Sequence, residues 1–264
     1  MTTKKGVSGT YEWAASTANC VVGCFGNCIY CYARTKAINS GIRTPKNWDE
    51  EIISLKAMSK KLGKRKGRVM FPSLHDISVE NLAACSVFLE RLLSVGNDVL
   101  IVSKPHLECI EFLCAAFAMY KGQILFRFTI GSADNNVLQT WEPNAPLFPE
   151  RVRSLKHAFN AGFRTSISCE PMLDDNIKAV IDQVQGYVTD AIWLGKANKL
   201  IERMVANGCS GSTLKLGRDL EALQSDENIK ALYEQYKNDP KIKWKESIKA
   251  VVGLKIPTKK GLDI

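Results

Sequence analysis

Cysteine is the residue type whose spacing says most about chemistry in this chain. Four of its nine cysteines fall between Cys20 and Cys31, in the run CVVGCFGNCIYCYAR. Cys24, Cys28 and Cys31 are spaced C-x3-C-x2-C, and Cys20 stands ahead of them. A local group of thiols in a reducing compartment reads first as a metal site. Two metals compete for it. Zinc would take all four thiolates in a closed, structural tetrahedron. An iron–sulfur cube would take only the three of C-x3-C-x2-C and keep one iron open for chemistry. Structural zinc sites usually pair two knuckles across a longer loop. Gly23 and Gly26 would let a short loop wrap closely around a bulky cluster. The spacing favours iron–sulfur, with Cys20 read as a small buried residue and not a ligand.

Elements must hold these thiols in place. After the cysteines, apolar strand-like runs alternate with helix-like ones. Strands are predicted at RVMFPS (68–73), DVLIVSK (98–104), QILFRFTIGS (123–132), FRTSISC (163–169) and DAIWLG (190–195). Helices are predicted at 78–96 with Ser78 as its cap, then at 107–120, 149–162 and 174–186, and in ANKLIERMVANG. The helix at 149–162 has Pro near its start and Gly at its end, the expected asymmetry. Near-continuous apolar strands belong to a parallel sheet covered by helices. Counting a first strand before Cys24 gives about six βα units, short of the eight in a closed barrel. The prediction is an α/β fold, an open, partial parallel (β/α)6 barrel over residues 1–207. A doubly wound sheet is the alternative. Residues 208–264 read as a helical extension packed on the barrel, through RDLEALQS, NIKALYEQYK and KESIKAVVG.

In parallel α/β folds the loops after the strands carry the chemistry. Candidates at those ends are Ser73, His75 and Asp76; Ser103 and Lys104; Thr129 and Ser132; Cys169 and Glu170; Lys196 and Asn198. His75 could shuttle a proton near neutral pH. Cys169, at a strand end, could donate hydrogen. Asp76, Lys196 and Asn198 would reach a bound ligand. Cys85, Cys109 and Cys114 fall on helix patterns and read as core.

The C-x3-C-x2-C of Cys24, Cys28 and Cys31, followed by Tyr32, resembles radical S-adenosylmethionine (SAM) enzymes, and GCFGNCIYCY, from Gly23 to Tyr32, resembles a G-C-x-x-x-C-x-Y-C-Y motif found among them. Within them it is most similar to the spore photoproduct lyases and DNA-repair-photolyase-like proteins. Three later stretches agree in order: VSK (102–104) with V-T-K, RFTIGS (127–132) with R-F-S-I-N-S, and WEPNAP (141–146) with a family E-P motif. The resemblance covers roughly Val22 to Pro171. It implies a [4Fe–4S] cluster on Cys24, Cys28 and Cys31, and SAM on the open iron. It also implies a one-electron reductant and a radical that abstracts a substrate hydrogen. Lys104 would then pair with the SAM carboxylate. Ser132 and Thr129 would bond its ribose or carboxylate, and Ser73 would help orient it. Tyr30 would lie beside SAM as a hydrogen relay, and Glu170 would bind its amino group or the substrate. Two departures stand out. The family's hydrogen-donor cysteine is absent from FPSLHDIS (71–78), and SCEPML (168–173) resembles the S-x-E-P-L-L of phage-associated radical SAM proteins. The resemblance therefore implies a relative with different substrate chemistry.

Composition bounds the partners. The 264-residue chain carries a formal net charge of +9, concentrated in Lys60–Arg68, Lys241–Lys245 and Pro257–Gly261. Such clusters suit a polyanion such as nucleic acid or form a solvated basic surface, and this balance favours the second. MTTKKGVSGTYEW lacks the apolar region of a signal peptide, and no apolar run is long enough for a membrane span. The expected address is the cytosol, with no membrane partner. Three functions follow. The first is a radical SAM enzyme acting on a nucleic acid or nucleotide. The second is one that modifies a peptide or small molecule. The third, from another class, is a zinc-binding structural or interaction module.

Overall fold

The computed structural model describes residues 6–263; Met1–Lys5, the head of the stretch read for a signal peptide, lie outside the described residues, as does Ile264. Its strands follow the chain as β1 (Ser16–Thr17), β2 (Val21–Val22), β3 (Ile52–Ile53), β4 (Val69–Met70), β5 (Val99–Ser103), β6 (Ile124–Thr129), β7 (Arg164–Cys169), β8 (Ile192–Leu194) and β9 (Ile242–Trp244). Strands β2 and β3 pair as a separate antiparallel ribbon. Among the described residues the other seven form one sheet in the order β1-β4-β5-β6-β7-β8-β9. Every pairing in that sheet is parallel.

Period-two alternation gives the sheet two unlike faces. Val99, Ile101, Phe126, Phe128, Ile167 and Ile192 join the main core. That core is shared with helices Leu82–Leu93, Leu107–Ala116, Phe148–Asn160 and Ile177–Val184. Between them Met70, Leu100, Leu125 and Trp193 point the other way and meet Trp13 and Ala14 in a second cluster. The inner face thus packs on its own side chains, as in a partial barrel; a doubly wound sheet would cover it with helices. Arg127 lies on this inner face without solvent contact. Its guanidinium stands 4.7 Å from the Trp13 ring and 5.3 Å from the Trp193 ring. It also forms 3.0 Å ion pairs with Asp190 and Asp263. Arg68, just before β4, reaches the same Asp263 at 2.6 Å.

Two local expectations are corrected. The helix predicted from Ser78 begins at Leu82. Ser78 still caps the turn that leads into it, its hydroxyl accepting from Asn81 N at 3.3 Å while donating to Glu51 Oε2 at 2.6 Å. In the C-terminal segment, helices form at Gly211–Leu223, Asp226–Tyr236 and Glu246–Val252, but KIKWK becomes β9, a seventh strand beside β8. Ile242 and Trp244 enter the main core. Lys243 and Lys245 point inward instead. Lys243 Nζ donates to the Asp263 carbonyl at 2.7 Å, and Lys245 Nζ is buried 2.7 Å from Glu12. These lysines are neither a solvated surface nor a polyanion site. Of the other two basic runs, Lys259 and Lys260 of Pro257–Gly261 are exposed, and Lys60–Arg68 is largely exposed and leads into the N-terminal end of β4, opposite the strand-end loops. No helix among the described residues is long and apolar enough to cross a membrane.

Candidate active site

The cysteine loop and the loops after β4 to β8 enclose a cavity of about 390 Å³. The loop is built on two special positions. Gly23 has φ 97°, and a Cβ there would come within 2.1 Å of the Glu50 carbonyl oxygen, so a side chain is excluded. At the far end Cys31 caps helix Tyr32–Asn39, its sulfur accepting from Arg34 N at 3.4 Å. Arg34 reaches back to Asn27 Oδ1 at 2.9 Å and ties the helix to the loop. Cys24, Cys28 and Cys31 all line the cavity. A Cβ on Gly26 would stand 3.5 Å from Asp76 Oδ2, 3.7 Å from Cys24 Sγ and 3.9 Å from Cys28 Sγ. The glycine therefore keeps space open in front of two sulfurs.

Cys20 is not part of this group. Its sulfur lies 3.7 Å from Cys85 Sγ in the main core. The four-thiolate zinc site is thus not assembled. Nor do the other three sulfurs converge on one ion. Among the described residues, the trio whose ligand atoms lie within 4.8 Å of one another is Cys20, His75 and Cys85. Sulfurs around one zinc would stand about 3.8 Å apart, from a Zn–S bond of about 2.3 Å. A wider set with free space before it fits a cluster of several irons. Burial pushes the Cys28 thiol up to about 12, and Cys24 and Cys31 are raised as well. The metal-free triad stays protonated, so loading must release its protons.

Facing the sulfurs is an ion pair, Lys104 Nζ to Asp76 Oδ2 at 3.5 Å. Asp76 Oδ1 also accepts from Lys104 N at 2.9 Å and Ser103 Oγ at 3.1 Å. Burial would raise the Asp76 carboxyl, but Lys104 and these donors outweigh it and hold it below its usual range. Burial would likewise lower Lys104; Asp76, Cys28 and Tyr30 instead raise it well above normal. Both groups stay charged. Tyr30 donates its hydroxyl proton to Glu142, which forms a 2.5 Å ion pair with Arg151. Arg151 donates on to the Thr129 carbonyl at 3.1 Å. Burial and then Glu142 push Tyr30 well up, so it is a neutral phenol tied to the end of β6. Ser73 is fixed by Asn19, whose Oδ1 accepts from Ser73 N at 2.7 Å and whose Nδ2 donates to Ser73 Oγ at 3.0 Å. Glu170, after β7, stands 3.2 Å from Lys245 Nζ, which brings the C-terminal segment to the rim. Burial raises Glu170, and Lys245 partly offsets it.

No protein-family model matches the chain, and no curated protein does. Solved structures do. A cysteine-to-serine mutant of spore photoproduct lyase superposes with a TM-score of 0.56 at 16% identity, covering 92% of this chain and 79% of that one. Spore photoproduct lyase complexed with dinucleoside spore photoproduct gives 0.54 at 15% identity over the same shares, 92% and 79%. A double mutant with bound AdoMet and dinucleoside spore photoproduct gives 0.54 at 14%, again over 92% and 79%. This chain has the fold of spore photoproduct lyase.

On that fold, the cavity gathers most of the candidates: Tyr30, Ser73, His75, Asp76, Lys104, Thr129, Glu170, Lys196 and Asn198. Cys169 and Ser132 stand apart from it. In β7 alternate residues face opposite ways, so Ser168 lines the cavity while Cys169 packs with Ile167 in the main core. Ser132 is fully buried, accepts from Asp134 N at 2.8 Å and donates to Asp174. Neither the donor role of Cys169 nor the ribose contact of Ser132 has a geometric basis. His75 reaches the wall, but its Nδ1 is 2.8 Å from the Asp76 carbonyl and its Nε2 faces Cys20 N, so it is not presented as a shuttle. Lys196 is at the rim, paired with Asp226 at 3.2 Å. Three residues at or behind the cavity wall had no assigned role: Tyr32, Glu142 and Arg203. WEPNAP marked the neighbourhood of Glu142. Arg203 had no signal, since it sits in a helical run that reads as surface.

Proposed function

We propose that this chain is a radical SAM enzyme in which Cys24, Cys28 and Cys31 hold a [4Fe–4S] cluster and Lys104 anchors SAM. The observation that carries the reading is one cavity that joins three free thiols to a charged Lys104–Asp76 pair. When bound and reduced, the cluster and SAM would supply a radical able to take a hydrogen atom from substrate. The chain's residues do the rest. Lys104 offers a permanent cation to a carboxylate, and Asp76 keeps it protonated. Tyr30, locked to Glu142, forms a rigid wall. Trp13, Met70, Val102 and Pro171 exclude water from the depth of the cavity.

The substrate we favour is a nucleotide or nucleic acid, in the cytosol, with an external one-electron reductant. Two observations support this. The solved neighbours include complexes with a dinucleoside photoproduct. At the rim, the exposed Tyr32 ring lies 5.9 Å from the Arg203 guanidinium, a pairing suited to stacking a base. The exposed lysines of 60–66 face away from this mouth, so they do not steer substrate into it. No cysteine beyond the triad lines the cavity. We therefore assign no hydrogen return from a separate cavity thiol to the proposed reaction.

Anaerobic reconstitution tests the proposal. About four irons per chain and 5′-deoxyadenosine formation with dithionite are expected, and Cys24→Ala, Cys28→Ala and Cys31→Ala should each abolish the product. Lys104→Met should weaken SAM binding by roughly ten- to a hundredfold, the loss of one charged hydrogen bond. Iron-free protein that cleaves no SAM after reconstitution would end the enzyme reading. Deuterated oligonucleotides and peptides, scored by deuterium in 5′-deoxyadenosine, choose between substrate classes.

A further inference from the structure

Cys20, His75 and Cys85 are not used by the site above, yet they converge from three parts of the chain. Cys20 precedes β2, His75 follows β4, and Cys85 lies on helix Leu82–Leu93. All three are buried, and their sulfurs and an imidazole nitrogen lie within 4.8 Å of one another. The two sulfurs are 3.7 Å apart. That is far beyond a disulfide bond of about 2.05 Å. It matches the roughly 3.8 Å edge of a tetrahedron with metal–sulfur bonds of about 2.3 Å.

The imidazole is oriented for the same purpose. Its Nδ1 lies 2.8 Å from the Asp76 carbonyl oxygen, which can only accept, so Nδ1 carries the proton and Nε2 the lone pair. Histidine ligands are oriented in this way, with the far nitrogen donating to a carbonyl or carboxylate. What Nε2 meets here is the Cys20 N–H at a long 3.4 Å. Asn81 Oδ1, 3.1 Å from Cys85 Sγ, is an oxygen donor for a fourth position. Charge also balances. Two thiolates cancel a divalent cation, so the loaded site is neutral and avoids the cost of a buried net charge.

We propose that Cys20, Cys85 and His75 Nε2 bind one divalent ion that favours sulfur and nitrogen, zinc foremost, in a closed structural site distinct from the iron–sulfur ligands. Binding releases two thiol protons to solvent and involves no redox step. It would clamp the loop after β4, which carries Asp76, to helix Leu82–Leu93.

The test uses full-length protein carrying Cys24→Ala, Cys28→Ala and Cys31→Ala, so that iron chemistry is absent whatever the fate of the radical reading. Titrated anaerobically with Co²⁺, this variant should take up about one equivalent with thiolate charge-transfer and tetrahedral d–d bands. Equimolar Zn²⁺ should bleach them. Adding Cys20→Ser and Cys85→Ser should lower Co²⁺ uptake at least tenfold. Should that variant not fold, alkylation of the triad variant decides. Cys20 and Cys85 should be protected from iodoacetamide with Zn²⁺ and modified after chelation. Absence of Co²⁺ bands in the triad variant, or equal alkylation with and without Zn²⁺, overturns the proposal.

Discussion

Glu142 serves two partners at once, accepting from Tyr30 and pairing with Arg151, and neither it nor Arg151 touches solvent. The two ends of this chain should respond unequally. Tyr30→Phe removes one donor but leaves Glu142 on Arg151, a loss of about 1.5–3 kcal/mol. Glu142→Ala leaves the Arg151 cation buried and unpaired, a loss of about 3–5 kcal/mol. Urea denaturation of the metal-free protein measures both, and an equal loss would show that Arg151 finds another partner. At this scale the sequence was informative about residue types and poor about direction. The placement of Lys104 and Asp76 at the cavity was legible because they lie in loops that follow strands of a parallel sheet. Cys169 was misread because a strand end alone does not say which face a side chain takes; counting the alternation from Ile167 would have turned it outward. His75 was misread because its partner, the Asp76 carbonyl, is backbone and leaves no mark in the sequence.

The cysteine loop is the element whose backbone decides whether the site exists. Gly23→Ala would put a Cβ 2.1 Å from the Glu50 carbonyl at φ 97°. It should lower thermal stability and reduce iron uptake several-fold, because strain at such a backbone costs about 1–3 kcal/mol before any clash. Gly26 has room for a methyl group against the protein alone, at 3.5 Å from its nearest neighbour. Gly26→Ala should therefore fold normally in circular dichroism yet load iron poorly, since the methyl group occupies the space before Cys24 and Cys28. Unchanged iron in Gly26→Ala would mean that the cluster does not use that space. The strands and helices around the loop were largely readable, because apolar runs bounded by Gly, Pro and Asp locate β4 to β8 directly. Strand β9 was not. Its alternation of Ile242 and Trp244 with lysines looks like a basic patch, and only the barrel interior, with Glu12, Glu170 and Asp263 waiting, gives those lysines a buried place.

At the scale of the molecule, Asp263 closes the lower end of the barrel by joining Arg68 and Arg127. Burial would raise its carboxyl, but Arg127 and Arg68 hold it below the usual range. Its folded value is thus below the unfolded one, near 4. The stability it contributes is complete above that pH and is lost as pH falls through the folded value. Asp263→Asn should destabilise the protein by about 3 kcal/mol at neutral pH, the low end for breaking a buried pair, as Arg127 keeps Asp190. The loss should shrink in acid, which thermal melts between pH 7 and pH 3 would register; a constant difference would assign the effect to packing. The same barrel interior has a kinetic consequence. Trp13, Met70, Leu100, Leu125 and Trp193 pack together within it, and the cavity opens at the strand-end mouth. Two molecules bound one behind the other in such a chamber would follow a queue. Under the proposed reading the deeper ligand would enter first and leave last, so turnover should be ordered, and an excess of the outer ligand should trap the inner one in place.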